Sequence, residues 1–169
     1  DGTGSSTLDG STNAATGTIS GTVDFLGTGG GQETITLSSA PWTISTNLNI
    51  SAGNFTAPAG TLNVAGNYTN TSGNFTHNSG TVVFNGSSQQ TLSGTMNGTS
   101  AFNILTITNN SGTNADTSPS VIISATTTAA TSTAVTASTT IRFQAGSTFT
   151  FTNINWNGQA TTSRVGLRS

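Results

Sequence analysis

GNFTAPAGTLNVAGNYTNTSGNFTHNSGTVVFNG, residues 53–86, is the stretch whose reading decides the fold. Its glycines fall at Gly53, Gly60, Gly66, Gly73, Gly80 and Gly86, with spacings of seven, six, seven, seven and six. Gly53-Asn54-Phe55-Thr56 recurs as Gly73-Asn74-Phe75-Thr76, and Gly60-Thr61-Leu62 recurs as Gly80-Thr81-Val82, both 20 residues later. A fixed short period of this kind marks stacked repeats. It predicts a coil of about twenty residues with three short sides and a glycine near each corner. The seven-residue spacing is not a heptad: Gly, Asn, Thr and Ser are poor in helix interiors, and charged flanking positions are missing.

Within each side the alternation is two-fold, as in a strand. Val82 and Phe84 point one way and Thr81, Val83 and Asn85 the other; Leu62 and Val64 form the matching inward pair, and Tyr68 opens the next side. Strands this short are stable only when the coils above and below hydrogen-bond to them. Asn54 with Asn74, and Phe55 with Phe75, stand one coil apart, where amide and aromatic ladders form.

Working outward, Gly21-Thr22-Val23-Asp24-Phe25-Leu26-Gly27 repeats the Gly-Thr-apolar pattern, and Gly29-Gly30-Gly31 reads as a corner loop. Apolar clusters recur near Val23, Trp42–Ile44, Leu62, Val82, Phe102–Ile104, Val121–Ile123, Ile141–Phe143 and Val165. This predicts about eight coils, a rod of ~40 Å, with the right-handed winding usual for parallel crossovers. Residues 1–17 read as a flexible arm or linker, and 18–169 as the solenoid domain. The stretches 87–100 and 109–120 read as weaker strands with loops, Pro119 marking a corner. The Ala/Thr/Ser run 126–140 suits a narrow interior, and 146–156 alternates as a half-buried strand pair. The fold class expected is therefore all-β, a single-stranded right-handed parallel β-helix. The competing fold is an antiparallel β-sandwich, which requires no twenty-residue register.

Composition narrows the function. Charged residues are 5% of the 169, lysine is absent, and Arg142, Arg164 and Arg168 all lie in the last 28 positions. Such a chain offers no basic footprint for nucleic acid and no polybasic membrane patch. No apolar run approaches a transmembrane helix, so no membrane insertion is expected. Serine and threonine exceed a third of the chain, but threonine favours strands and the eight phenylalanines recur in register, which argues for order. Without cysteine there is no disulfide framework or thiol chemistry.

The motifs GNFT, GTVVFNG followed by SSQQTLSG, and FNILTITNNSG resemble the Gly/Asn/Thr-rich parallel β-helix repeats of bacterial surface proteins: adhesins, autotransporter-like passenger domains and fibre-forming appendages. The tail FTFTNINWNGQATTSRVGLRS is similar to segments of those proteins. The resemblance implies an exported, elongated scaffold at the cell surface.

Chemistry is sparse. A β-helix hydrolase or lyase needs clustered carboxylates or a metal with a base; the acidic residues Asp1, Asp9, Asp24, Glu33 and Asp116 are scattered. His77 is the sole histidine, at the corner position equivalent to Ala57, and Asp9-Gly10-Ser11-Thr12-Asn13 is a partial match to a calcium loop. No enzyme activity and no cofactor are expected. Asn-x-Ser/Thr sequons at Asn49, Asn54, Asn67, Asn70, Asn74, Asn85, Asn97 and Asn109 offer glycosylation sites, set against side-chain ladders. Outward threonine rows raise a flat ice- or glycan-binding face, but the outward residues mix between coils. The sequence thus reads as a structural subunit that assembles with itself end to end into an extracellular filament or stalk. Its junction would be made by residues 18–25 and 161–169, with Ile19, Val23, Phe25, Val165 and Leu167 at the two ends. An N-terminal arm reaching into the neighbour is a variant. The alternative is a monomeric adhesin module that binds surface glycans along one face.

Overall fold

The structure is a computed structural model that describes residues 5–8, 17–25, 34–157 and 165–169. Asp1, Asp9, Glu33 and Arg164, the partial calcium loop 9–13 and the glycine loop 29–31 lie outside the described residues. The first turn comprises β1 (Ser5–Leu8), β2 (Gly17–Ile19) and β3 (Val23–Phe25). The second comprises β4 (Thr34–Leu37), β5 (Trp42–Ile44) and β6 (Leu48–Ile50), and the third β7 (Asn54–Thr56), β8 (Thr61–Val64) and β9 (Tyr68–Asn70). The fourth has β10 (Asn74–Thr76), β11 (Thr81–Phe84) and β12 (Gln90–Gly94). Two-sided turns follow: β13 (Phe102–Ile107) with β14 (Val121–Ile123), β15 (Thr127–Ala134) with β16 (Thr140–Phe143), and β17 (Phe149–Trp156) with β18 (Gly166–Arg168).

Every strand pairs in parallel with its counterpart one turn away. The result is a parallel β-solenoid with a four-stranded sheet (β1-β4-β7-β10) and two seven-stranded sheets, ending at β2 and β17 and at β3 and β18. Within the stretch expected as a flexible arm, Ser5–Leu8 and Gly17 already belong to strands of the solenoid.

The seven strand layers are separated by six steps, about six turns with strands ~22 residues apart, rather than eight coils of twenty. Steps of 20 hold for Trp42↔Leu62 and Leu62↔Val82, but the step is 23 at Thr81↔Ile104 and 27 at Phe102↔Ala129. The apolar clusters that recur near twenty residues do not all share one sheet. Trp42, Leu62, Val82 and Phe102 lie on one, and Val121 and Ile141 on another. Phe102 and Val121 are two sides of one turn, so counting clusters overcounts turns. At ~4.8 Å per step the stack is about 30 Å long.

The short sheet ends at β10 because the next turn replaces a strand by a 3-10 turn, Gly98–Ser100, whose Ser100 Oγ accepts the Phe75 N–H at 3.1 Å. From there one long strand bends around two sides. Burial on β15 falls on Thr127, Ala129, Ser132 and Ala134, with Ala130 and Thr131 turned outward together at the bend. Residues 149–156, read as a strand pair, are one such bent strand.

The core is the space between the sheets. Leu62, Val64, Val82 and Phe84 are buried, as are Phe55, Tyr68 and Phe75. The rings of Phe55 and Phe75 stack at 6.1 Å and 24°, and Phe102 lies 5.3 Å from Phe75 with its ring tilted by 57°. Tyr68 meets Phe75, Phe84 and Phe102 near edge-on, at 5.9, 6.3 and 5.5 Å. Such pairs add about 0.5–1.5 kcal/mol each beyond their area. At the corners the chain passes close over the turn before it. A Cβ on Gly80 would lie 2.1 Å from the Pro58 carbonyl oxygen, and Gly53 has a φ of 73°. A Cβ on Gly60, Gly66 or Gly86 would lie 2.7, 2.5 or 2.5 Å from a backbone oxygen, and one on Gly73 would meet Ile50 and Ala52.

Candidate functional site

Polar side chains are largely spent on joining turns. Asn74 Nδ2 donates to Asn54 Oδ1 at 2.9 Å, and Asn54 Nδ2 to Thr34 Oγ1 at 3.3 Å, making a ladder up one face. Asn49 Nδ2 donates to Asp24 Oδ1 at 2.6 Å on another. Asp24 therefore stands in register with Asn49 and Thr69, not with Asn63 and Val83 as the repeat pattern suggests. Inside, Gln90 Oε1 accepts the Gly86 N–H at 2.8 Å and Asn109 Nδ2 at 3.0 Å, while Gln90 Nε2 donates to the carbonyls of Val64 (2.9 Å) and Gly66. Of the sequon asparagines, Asn70 and Asn109 are buried, and Asn67, Asn74 and Asn85 are exposed.

The titratable side chains stand apart. His77 Nδ1 accepts the Ser79 N–H at 2.9 Å across a tight corner where Asn78 and Ser79 have φ of 46° and 59°. Arg142 donates to the Asp116 carbonyl at 3.0 Å. No group of three or more His, Cys, Asp or Glu gathers among the described residues. Burial pushes the Tyr68 phenol well above its ordinary value, and the neighbouring Asn70 side chain opposes the rise.

The surface that stands out is the last turn. Through the registers Thr127↔Phe149, Ala129↔Phe151, Ser132↔Ile154 and Ala134↔Trp156, large side chains lie on the small buried ones of β15. Trp156 Nε1 donates to Ser132 Oγ at 3.1 Å, fixing the indole on that layer. Phe143 packs on Phe149 at 4.7 Å and on Trp156 at 5.8 Å; Phe151 meets Trp156 at 5.8 Å. Beyond them lies an open cavity of about 570 Å³, lined by Phe143, Phe149, Phe151, Ile154 and Trp156 with the turn at 144–147. Ile154 is 56% exposed and Leu167 44%. β17 and β18 end their sheets, so their outer backbone edges carry no partner strand among the described residues.

Of the residues expected at the ends, Ile19, Val23 and Val165 are partly buried against the core and Leu167 is exposed; Phe25 closes β3. Sequence reasoning missed Phe143, Phe149, Phe151, Ile154 and Trp156. The signal was present as Phe149-x-Phe151 and Ile154-x-Trp156, two alternating pairs separated by Thr152 and Asn153, the mark of a strand bent at a corner.

These features define a parallel β-solenoid with an uncovered apolar layer at one end. Comparison with known proteins finds no matching family model, no matching curated protein and no matching solved structure.

Proposed function

We propose that the chain is a structural β-solenoid that assembles end to end into an extracellular filament or surface stalk. The observation that carries this reading is the last turn. It holds an inward-type layer of four aromatic rings and Ile154 beside two strand edges that have no partner among the described residues. Unpaired parallel edges and exposed core attract another strand layer. A net charge of −2 does little to oppose association. Placement outside the cell rests on the likeness of the repeats to surface proteins alone.

Sedimentation velocity and negative-stain electron microscopy test it, on the native chain and on Ile154→Asp. The native chain forms concentration-dependent rods and the variant stays monomeric. Native material that remains monodisperse at high concentration overturns the reading.

A glycan-binding module is the second reading. It is favoured by the flat face of the four-stranded sheet, where Thr36, Thr56 and Thr76 stand in register beside the Thr34, Asn54 and Asn74 row. Saturable binding to one sugar class on an array, without polymerisation, would select it.

A further inference from the structure

We infer that the junction is head to tail: the first turn of a second copy lies on the open aromatic layer and continues both seven-stranded ladders in parallel. The inference rests on the end-to-end reading above and specifies its geometry.

The registers run unbroken from one end to the other. Gly17↔Trp42, Trp42↔Leu62, Leu62↔Val82, Val82↔Leu105, Leu105↔Ser132 and Ser132↔Ile154 form one column. Gln90, Val121, Ile141 and Leu167 form another. Followed back through Leu92↔Tyr68, Tyr68↔Leu48 and Leu48↔Val23, it reaches Gly21, two residues ahead of Val23. Ile154 and Leu167, the exposed large apolar residues among those described, thus share their columns with glycines at the other end. A further turn laid on by translation sets Gly17 over Ile154, Gly21 over Leu167 and Ile19 over Trp156.

This repeats a packing rule the molecule already uses. The aromatic layer of β17 rests on the small side chains of β15, and the Trp42 ring fills the space a Cβ on Gly17 would take. A large layer against a small one reaches native density at these two places, while the centre of the stack sets large on large, as Phe55 on Phe75. The opposite arrangement, tail to tail, sets two aromatic layers face to face and requires antiparallel pairing of β17 with itself. It would also close as a two-fold dimer, whereas a heterologous contact that does not close continues into a filament.

The chain has no cysteine, so single-cysteine variants report the junction cleanly. Gly21→Cys has nothing within 4 Å of its new Cβ, and Leu167→Cys replaces an exposed side chain. Stacked one step apart, about 4.8 Å, their Cα atoms fall in the range a disulfide spans. Oxidation of the mixed variants gives cross-linked dimers, and oxidation of either alone gives none. Asn85→Cys, exposed on the side of the rod, mixed with Leu167→Cys, gives none and controls for collision. Val23→Cys with Ser169→Cys, two residues along the same strands, repeats the result should either first variant fold poorly. Homodimers of Leu167→Cys alone overturn the head-to-tail geometry while leaving self-association intact. Filaments without the mixed cross-link overturn the register. A monomer without any cross-link overturns both this inference and the reading beneath it.

Discussion

Two groups of aromatic residues occupy the inside of this solenoid, and they differ in one respect. Phe55, Tyr68, Phe75, Phe84 and Phe102 are buried at the centre of the stack, with turns on both sides. Phe143, Phe149, Phe151 and Trp156 have the same inward placement and ring contacts of similar length, yet border an open cavity. In a globular core, burial comes from several elements converging; in a solenoid, each layer is buried by its two neighbours. An inward residue becomes core only when the next turn is laid on it. The terminal group is therefore an inward-type layer that lacks a neighbouring turn on one side among the described residues.

The comparison is sharpest between one ring of each group. Phe75→Ala removes a fully buried ring and should cost about 3–5 kcal/mol. Phe151→Ala, in the partly exposed layer, should cost about 1 kcal/mol in the monomer. Urea denaturation of the two at a concentration below assembly measures the gap; equal losses would mean the terminal layer is as well packed as the centre. Gln90→Ala tests the centre's polar corner. It leaves the Gly86 N–H and the Gly66 carbonyl without this partner, the Val64 carbonyl keeping the Asn85 N–H, a loss of about 1–3 kcal/mol by the same measurement.

Tyr68 gives a pH test confined to the central group. Its hydroxyl is buried beside the Asn70 side chain, and burial, the larger effect, raises its pKa in the folded state. The unfolded chain ionises this phenol near pH 10 while the folded chain keeps it protonated. Stability is therefore full below about pH 10 and falls above it, by up to about 1.4 kcal/mol per pH unit. Tyr68 is the sole tyrosine, and the chain has neither lysine nor cysteine, so Tyr68→Phe should flatten the alkaline limb. A limb unchanged in Tyr68→Phe would place the titration elsewhere. The smallest effect belongs to the terminal group: Ile154→Asp should shift monomer stability within about 0.5 kcal/mol. A thermal scan of monomer showing a larger loss would make Ile154 core rather than surface.

Much of the architecture could be read before any coordinates. The recurrence of Gly53–Thr56 as Gly73–Thr76 pointed to a stacked parallel fold, because stacking sets a side chain above its counterpart one period back. Val82 and Phe84 inward, and Asn54 below Asn74, follow from the two-fold alternation of a strand. The turn count was not legible. An apolar cluster reports an inward face but not which of several sheets it belongs to, so Phe102 and Val121 look like successive turns when they are sides of one. The terminal aromatic layer was half legible: the alternation of 149–156 was visible, but the bend at Thr152–Asn153 hid that all four large residues face one way.

By itself the sequence determined the period, the parallel stacking and the inward residues of the central turns, since these follow from local spacing repeated along the chain. Only the tertiary structure decided where three sides become two, which amides join inside, and which apolar layer is left open. Those outcomes depend on which turn lies against which, and residues 27 positions apart pair as closely as residues 20 apart.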